Sequence, residues 1–597
     1  MAKQQETPTL ERTEIVQIMG EIADRSQKLM HELAERRCSG NGEVGSADPL
    51  NLAPTMLRLT TRMLADPANL MQAQINLWQS YWQLWAITGR RMLGQDVEPV
   101  IEPERGDRRF RDPAWDDHAV FDFIKQSYLL TSRWLVDTVN SYDDFDDKTR
   151  QKIDFYMRQF VDAMAPSNFV TTNPEVLRAT LESGGENLLR GLSNLLEDLE
   201  RGGGKLAIKM TDPEAFELGR NVAVTPGKVV FQTDLMQLIQ YAPTTEQVYQ
   251  RPLLIIPPWI NKFYILDLQP KNSFIRFAVE QGFTVFVVSW VNPDRQHAEK
   301  TFQDYMVEGA LAALDAIEQA TGEREINVIG YCLGGTLLAC TLAYLAAKRD
   351  RRVKAATFFA SLVDFEDPGE LGVFIDEEQL AAMDQTMAKR GYLDGREMAT
   401  TFNMLRANDL IWSFVINNYL LGKEPFPFDL LYWNADSTRM PYAMHSFYLR
   451  EFYQENRLVE PGGITLCGVP IDLRKVRLPT YILSTREDHI APWKSTYAAT
   501  RLYGGDVTFV LAGSGHIAGV INPPTVQKYG FWAGEKLPPD PDDWLAGAEH
   551  KEGSWWPHWV AWNAAQSGPK VPARVPGDGK LEPIEDAPGS YARVCAV

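Results

Sequence analysis

The chain has 597 residues, and its 60 basic and 79 acidic side chains leave a net charge of −19. Apolar residues make up 45 % and charged residues 23 %, a globular balance that excludes collagen-like and low-complexity classes. The acidic excess argues against non-specific nucleic-acid binding, and a single core stops growing at roughly 250–300 residues, so at least two domains are expected.

Residues 1–48 are polar, carry Gly and Ser near their end, and read as mobile or loosely helical. The first residues hold no apolar run, so no secretory signal is expected. From about Pro54 the pattern turns helical: MLRLTTRMLADPANLMQAQINLWQSYWQLW places Leu, Met and Trp at three- and four-residue intervals. Such an aromatic face serves either as core or as a surface for an apolar partner. Two further helical patterns follow, and RGGGK at Arg201–Lys205 reads as a linker. A helical N-terminal domain over 1–204 is therefore expected.

Beyond the linker the period changes. NVAVTPGKVVFQTDLMQLIQYAP reads as two or three antiparallel strands. RPLLIIPP, TVFVVSWV, INVIGY, KAATFFAS and TYILST then alternate with helical segments, which implies an α/β domain over 205–597 with a mostly parallel sheet and helices on both faces. The uncharged stretch Ile326–Ala347 is long enough to cross a bilayer, but its glycines and its switch of period favour a strand, a turn and a helix inside a core. Between about 365 and 468 the alternation fails, and this aromatic-rich stretch is too long for a connection; it reads as a lid or cap insertion. The Pro- and Trp-rich tail reads as wrapping the surface.

Five widely spaced cysteines (Cys38, Cys332, Cys340, Cys467 and Cys595) make no disulfide framework and suggest a reducing, cytoplasmic setting. No CxxC or HExxH motif occurs, so neither a metal nor another bound cofactor is expected.

The chemistry centres on Gly330-Tyr331-Cys332-Leu333-Gly334-Gly335, between a strand and a helix. G-x-nucleophile-x-G at such a junction is the nucleophile elbow of α/β-hydrolases, with a thiol where a hydroxyl is usual. The backbone N–H of Leu333 would then face an oxyanion hole at a helix N-terminus. The elbow predicts the chain order nucleophile, acid, histidine. Asp488 and His516 each follow a predicted strand, at the sheet edge where ligands bind in open α/β folds. His489 neighbours them as a supporting group. The second oxyanion donor should come from the loop after an early strand; Pro257 and Pro258 lack an N–H, which leaves Trp259, Ile260 or Asn261, with Ile260 as the working choice.

Together GYCLGG, PPWINKFYILDLQP, REDHIAPW and GSGHIAGVINPP resemble the polyhydroxyalkanoate synthases of the α/β-hydrolase superfamily, and the similarity extends to the helical first third and the Trp-rich tail. The single long chain resembles the class I, short-chain enzymes. The resemblance implies a Cys332–His516–Asp488 triad that polymerises (R)-3-hydroxyacyl-CoA, 3-hydroxybutyryl-CoA above all, with release of CoA. A thiol nucleophile suits this: thiol-for-thiol exchange keeps the acyl group activated, and transfer to a hydroxyl is then downhill. Asp488 could orient His516 or help deprotonate the attacking hydroxyl. Asn261, Arg406 and His489 are candidate substrate contacts, Arg406 for the CoA phosphates. The insertion would exclude water, which competes for the acyl-enzyme. A homodimer partly resident at polymer granule surfaces is implied. A thioesterase on the same fold and a non-catalytic granule coat are the alternatives.

Overall fold

The computed structural model describes residues 52–142 and 145–595, together with Arg25. The reading of 1–48 as mobile, and Cys38 with it, lies outside the described residues apart from Arg25. The chain divides into two compact units, one of residues 1–212 with 402–426, the other of 213–401 with 427–597.

The first unit is helical: α1 (Leu52–Ala65), α2 (Pro67–Met92), α3 (Ala119–Asn140), α4 (Asp147–Ala163), α5 (Pro174–Glu182) and α6 (Glu186–Arg201). Three of these helices, α2, α4 and α5, start on a side-chain cap. Asp66 accepts from Asn69 N at 3.1 Å, Asp146 from Thr149 N at 3.0 Å, and Asn173 from Glu175 N at 2.9 Å. Among the described residues apolar packing includes small clusters such as Leu59–Val139–Ile153 and Leu84–Ile101–Leu130. Charge fills part of the interior: the buried Asp122 meets Arg91 at 2.5 Å and Lys125 at 3.2 Å. Along α2, Trp78, Trp82 and Trp85 are each more than 60 % exposed, so the aromatic face seen in the sequence is a surface of this unit.

Residues 402–426, from the middle of the stretch read as one insertion, belong to this helical unit. The reason is local chemistry. Asn187 and Asn194 of α6 donate to the carbonyls of Leu420 and Asn418 at 2.7 and 3.0 Å. A Cβ at Gly191 would sit 1.8 Å from the Tyr419 carbonyl oxygen, so the close approach needs glycine there.

In the second unit the strands are β1 (Gly227–Gln232), β2 (Met236–Tyr241), β3 (Leu253–Ile256), β4 (Val285–Trp290) and β5 (Ile326–Tyr331). Helix α7 (Leu333–Ala347) follows, then β6 (Val353–Phe359), β7 (Thr480–Thr485), β8 (Val507–Ala512), β9 (Phe531–Ala533) and β10 (Glu549–Lys551). Helix α8 (Trp556–Ala565) and β11 (Glu585–Asp586) complete it. Among the described residues these eleven strands form one sheet in the order β10-β9-β8-β7-β6-β5-β3-β4-β2-β1-β11. The run from β4 to β8 is parallel. The stretch Ile326–Ala347 is thus β5, a turn and α7.

Alternation sorts the strand residues to two faces. Leu254, Ile256 and Val328 join one core cluster, Leu253, Ile255 and Ile329 the other. With both faces covered, central strands read as continuous apolar runs, and β3, β4 and β5 are buried throughout. The chain passes from β3 outward to β4 and returns to place β5 on β3's other side. The carboxyl ends of β3 and β5 therefore flank a topological switch point, the usual ligand crevice of an open α/β sheet.

The tail differs from its sequence reading. Trp555, Trp556 and Trp559 are 0–1 % exposed and pack on Phe274, while β11 closes one sheet edge. Burial is possible because each indole N–H finds an acceptor: Gly519 O at 2.9 Å, Val520 O at 2.9 Å and Thr357 Oγ1 at 3.0 Å.

Candidate active site

Cys332 stands between β5 and α7 with φ 51° and ψ −121°, a strained conformation for a residue with a side chain. The turn is pinned on both sides. Cys332 N donates to Phe359 O on β6 at 2.8 Å, and Cys332 O accepts from Gly335 N at 2.9 Å. A Cβ at Gly334 would lie 2.2 Å from Ile256 O, and one at Gly330 would lie 2.5 Å from Gly335 Cα. The two glycines thus let α7 start against the ends of β3 and β5. Leu333 occupies the first turn of α7, where backbone N–H groups have no intrahelical acceptor.

Asp488 and His516 come from the loops after β7 and β8. These loops bond to each other, Arg486 N to Ala512 O and Glu487 N to Ser514 O, both at 2.9 Å. His516 Nδ1 and Asp488 Oδ2 are 2.7 Å apart. The same Oδ2 accepts from Thr485 Oγ1 at 2.9 Å, and Oδ1 accepts from Ile490 N and Ala491 N, each at 2.9 Å. Both carboxylate oxygens are therefore engaged, and the buried group is held from four directions. Burial alone would raise its pKa. Attraction to the His516 ring, their hydrogen bond and the two backbone N–H groups outweigh burial and hold it below the usual carboxylate value.

For His516, burial opposes the charged form. The negative charge of Asp488, the Cys332 sulfur and hydrogen bonds to both side chains overcome this and push the ring well above its usual value. With Nδ1 on Asp488, the other ring nitrogen is left for Cys332. The structure thus brings Cys332, His516 and Asp488 into one connected chain. His516 and Asp488 are buried, while Cys332 is partly exposed.

A poly-beta-hydroxybutyrate polymerase (PhaC) N-terminus family model matches residues 106–278, and an alpha/beta hydrolase fold model matches 251–523. The chain is 54 % identical to the poly(3-hydroxyalkanoate) polymerase of Methylorubrum extorquens over 92 % of its own length and 91 % of that protein's. The chain belongs to the poly(3-hydroxyalkanoate) polymerase family. It is also 49 % identical to the poly(3-hydroxyalkanoate) polymerase subunit PhaC of Rhizobium meliloti, over 97 % of this chain and 94 % of the other. For the corresponding subunit of Cupriavidus necator the identity is 48 %, over 89 % of each chain.

In this member of the polymerase family the loop after β3 is clamped by distant backbone. Thr438 N donates to Ile260 O at 2.9 Å, and the Thr438 hydroxyl donates to Trp259 O. The Asn261 amide faces the Trp433 and Asn434 carbonyls at 3.5 Å, so it serves the loop's own shape. Lys262 is buried, and its Nζ donates to Val594 O at 2.6 Å and Tyr591 O at 3.2 Å. Burial lowers the Lys262 pKa, against attraction from Asp436 and Cys595. His489 is partly exposed beside Asp488, and its carbonyl accepts from Glu370 N at 3.2 Å. Arg406 belongs to the helical unit, is exposed, and pairs with Asp409 at 2.8 Å.

Other members of the site carry no motif of their own. The Tyr331 ring stacks on His516 at 5.7 Å and its hydroxyl donates to His516 O at 3.2 Å. Thr485 fixes Asp488. Trp555 and Trp556 hold the Gly519 and Val520 carbonyls just past His516. Position gave one available signal: Tyr331 immediately precedes Cys332. Among the described residues no group of three or more His, Cys, Asp or Glu is placed to hold a metal ion, and no helix is long and apolar enough to cross a membrane.

Proposed function

We propose that the chain polymerises (R)-3-hydroxyacyl-CoA, with 3-hydroxybutyryl-CoA as the preferred monomer, through a thioester on Cys332. The observation that carries this is the connected chain Asp488–His516–Cys332, its first link 2.7 Å long. The names of the family's polymerases support the substrate class.

In the first step His516 accepts the Cys332 proton and the sulfur attacks the thioester carbonyl. A carbon–sulfur bond to Cys332 forms, the bond to CoA sulfur breaks, and the proton leaves with CoA. The N–H of Leu333 and that of Ile260 receive the developing oxyanion. In the second step a 3-hydroxyl gives its proton to His516 and attacks the acyl carbonyl. The new bond is an oxoester, and Cys332 takes back the proton. The four bonds on Asp488 leave its oxygens occupied and support an orienting role, with deprotonation of the hydroxyl falling to His516.

Residues 365–401 and 427–468 supply an aromatic layer in the same unit, with Phe365, Phe447, Tyr448, Phe452 and Tyr453 in mutual contact. Such a layer favours transfer to a hydroxyl over hydrolysis by keeping water out. Homodimerisation and attachment to the polymer surface within the cytoplasm belong to the same reading, and the exposed Trp78, Trp82 and Trp85 support a face for such contacts.

The test is the product formed from 3-hydroxybutyryl-CoA. CoA release accompanied by material of high molecular mass is expected. CoA release with soluble free acid alone would make the protein a thioesterase.

A further inference from the structure

Strand β3 ends at Ile256, and the next two residues, Pro257 and Pro258, have no backbone N–H. The loop that follows is held by its carbonyls instead. Thr438 bonds to those of Trp259 and Ile260, and the Trp290 indole N–H donates to Pro257 O at 2.8 Å. Among the described residues, the backbone N–H groups of Trp259 and Ile260 donate to no protein acceptor.

Trp290 is the last residue of β4 and pairs with Met236 of β2, so its ring is anchored in the sheet. The ring is buried, stands edge-on to Trp259 at 5.3 Å and 71°, and packs on Tyr305 at 5.1 Å. Trp259 and Tyr305 in turn lie 4.4 Å apart. Buried indole and phenol groups usually find an acceptor. Here the Trp259 Nε1 and the Tyr305 hydroxyl make no hydrogen bond. The cluster forgoes two bonds and keeps the one that reaches Pro257.

Glycines make room on either side. Gly309 lies in the π-helical stretch Tyr305–Leu311, and a Cβ there would sit 2.4 Å from Trp290 Cη2. Gly334 lies in the first turn of α7, and a Cβ there would sit 2.7 Å from Pro257 O. One line of contacts thus runs from Gly309 through the Trp290 ring and the Pro257 carbonyl to the turn that begins at Leu333.

We propose that Trp290 is a positioning residue for the oxyanion site: it fixes the Pro257 carbonyl against Gly334, and so sets the spacing between the Ile260 and Leu333 N–H groups, while Gly309 seats its ring. The inference rests on the acyl-transfer reading above and adds a residue that acts through the loop. Oxyanion donors must lie within a narrow distance of the developing charge, so a small shift of the loop weakens the tetrahedral state and leaves Cys332, His516 and Asp488 in place. Alkylation of the same sulfur by iodoacetamide forms no oxyanion. The sulfur displaces iodide at a saturated carbon, and the thiol proton is lost to solvent.

The experiment measures both reactions on the full chain: steady-state CoA release from 3-hydroxybutyryl-CoA, and the rate of iodoacetamide addition to the Cys332 peptide by mass spectrometry. Trp290→Phe removes the N–H and keeps a ring. It should lower kcat about tenfold, with KM and the alkylation rate each within about twofold of wild type. Gly309→Ala keeps every hydrogen-bonding group and displaces the indole. It should lower kcat about threefold on its own and add nothing to Trp290→Phe, whose smaller ring leaves room for the methyl group. An unchanged kcat in Trp290→Phe would overturn the proposal. Parallel loss of kcat and alkylation, the mark of a general structural role, would overturn it too, as would a Gly309→Ala effect of equal size in both backgrounds. Should Trp290→Phe fail to fold, Gly309→Ala decides: kcat lowered with alkylation kept supports the proposal, and any other result overturns it. A wild type whose Cys332 is alkylated but which releases no CoA would sink the acyl-transfer reading itself, and the proposal with it.

Discussion

The Cys332 elbow is positioned by its own neighbourhood in sequence, the end of β5 and the first turn of α7, with one bond across to β6. The loop at Trp259–Lys262 is positioned from afar: Thr438 lies 179 residues beyond Trp259, and Val594 lies 332 residues beyond Lys262. Cys332 thus inherits the rigidity of the sheet, whereas the loop proposed to supply the second oxyanion donor depends on two remote segments that must dock correctly. On the proposed mechanism, damage to the first should remove chemistry outright, and damage to the second should weaken transition-state stabilisation while leaving Cys332, His516 and Asp488 in place.

Substitution at Asp488 probes the sheet-edge side of this contrast and should have the larger effect. Asp488→Asn removes the charge that raises the His516 pKa. The acid limb of the pH–rate profile should move to lower pH, because the ring then gives up its proton more readily. At the same time kcat should fall by roughly 10²–10⁴, since the imidazole loses the partner that fixes its tautomer. An acid limb that stays in place would mean that another group sets it.

Lys262→Met probes the remote side. It deletes the donor to Tyr591 O and Val594 O but keeps much of the side-chain volume. Loss of roughly one oxyanion contact's alignment should cut kcat about tenfold to a hundredfold, with little change in KM. Steady-state kinetics on CoA release measure both. An equal rise in KM with kcat preserved would assign the lysine to substrate binding.

Arg406→Ala should have the smallest effect, within about twofold on KM for the CoA substrate, because the guanidinium is exposed and already paired with Asp409. A tenfold rise would restore the phosphate-binding role suggested by its place in the sequence.

The same contrast explains what could be read before any coordinates. Cys332, Asp488 and His516 were legible because the elbow is a local device and strand ends in an α/β sheet share one edge. The strands β3 to β8 were legible because buried parallel strands are continuous apolar runs. Lys262, Thr485 and Tyr331 act through contacts set by the tertiary fold, and a lone Lys, Thr or Tyr carries no pattern of its own. The Trp-rich tail was misread because Pro and Trp suggest a surface wrap until each indole N–H is seen to have its acceptor. Likewise, nothing in the sequence of 402–426 shows that its backbone carbonyls answer the amides of Asn187 and Asn194.

The central claim is covalent: the acyl group resides on one sulfur. Mixing the full chain with 3-hydroxybutyryl-CoA, quenching in acid and mapping peptides by mass spectrometry tests it directly. The account predicts an acyl adduct on the peptide that contains Cys332, and no adduct or CoA release from Cys332→Ala. CoA release by that variant at the wild-type rate would contradict it.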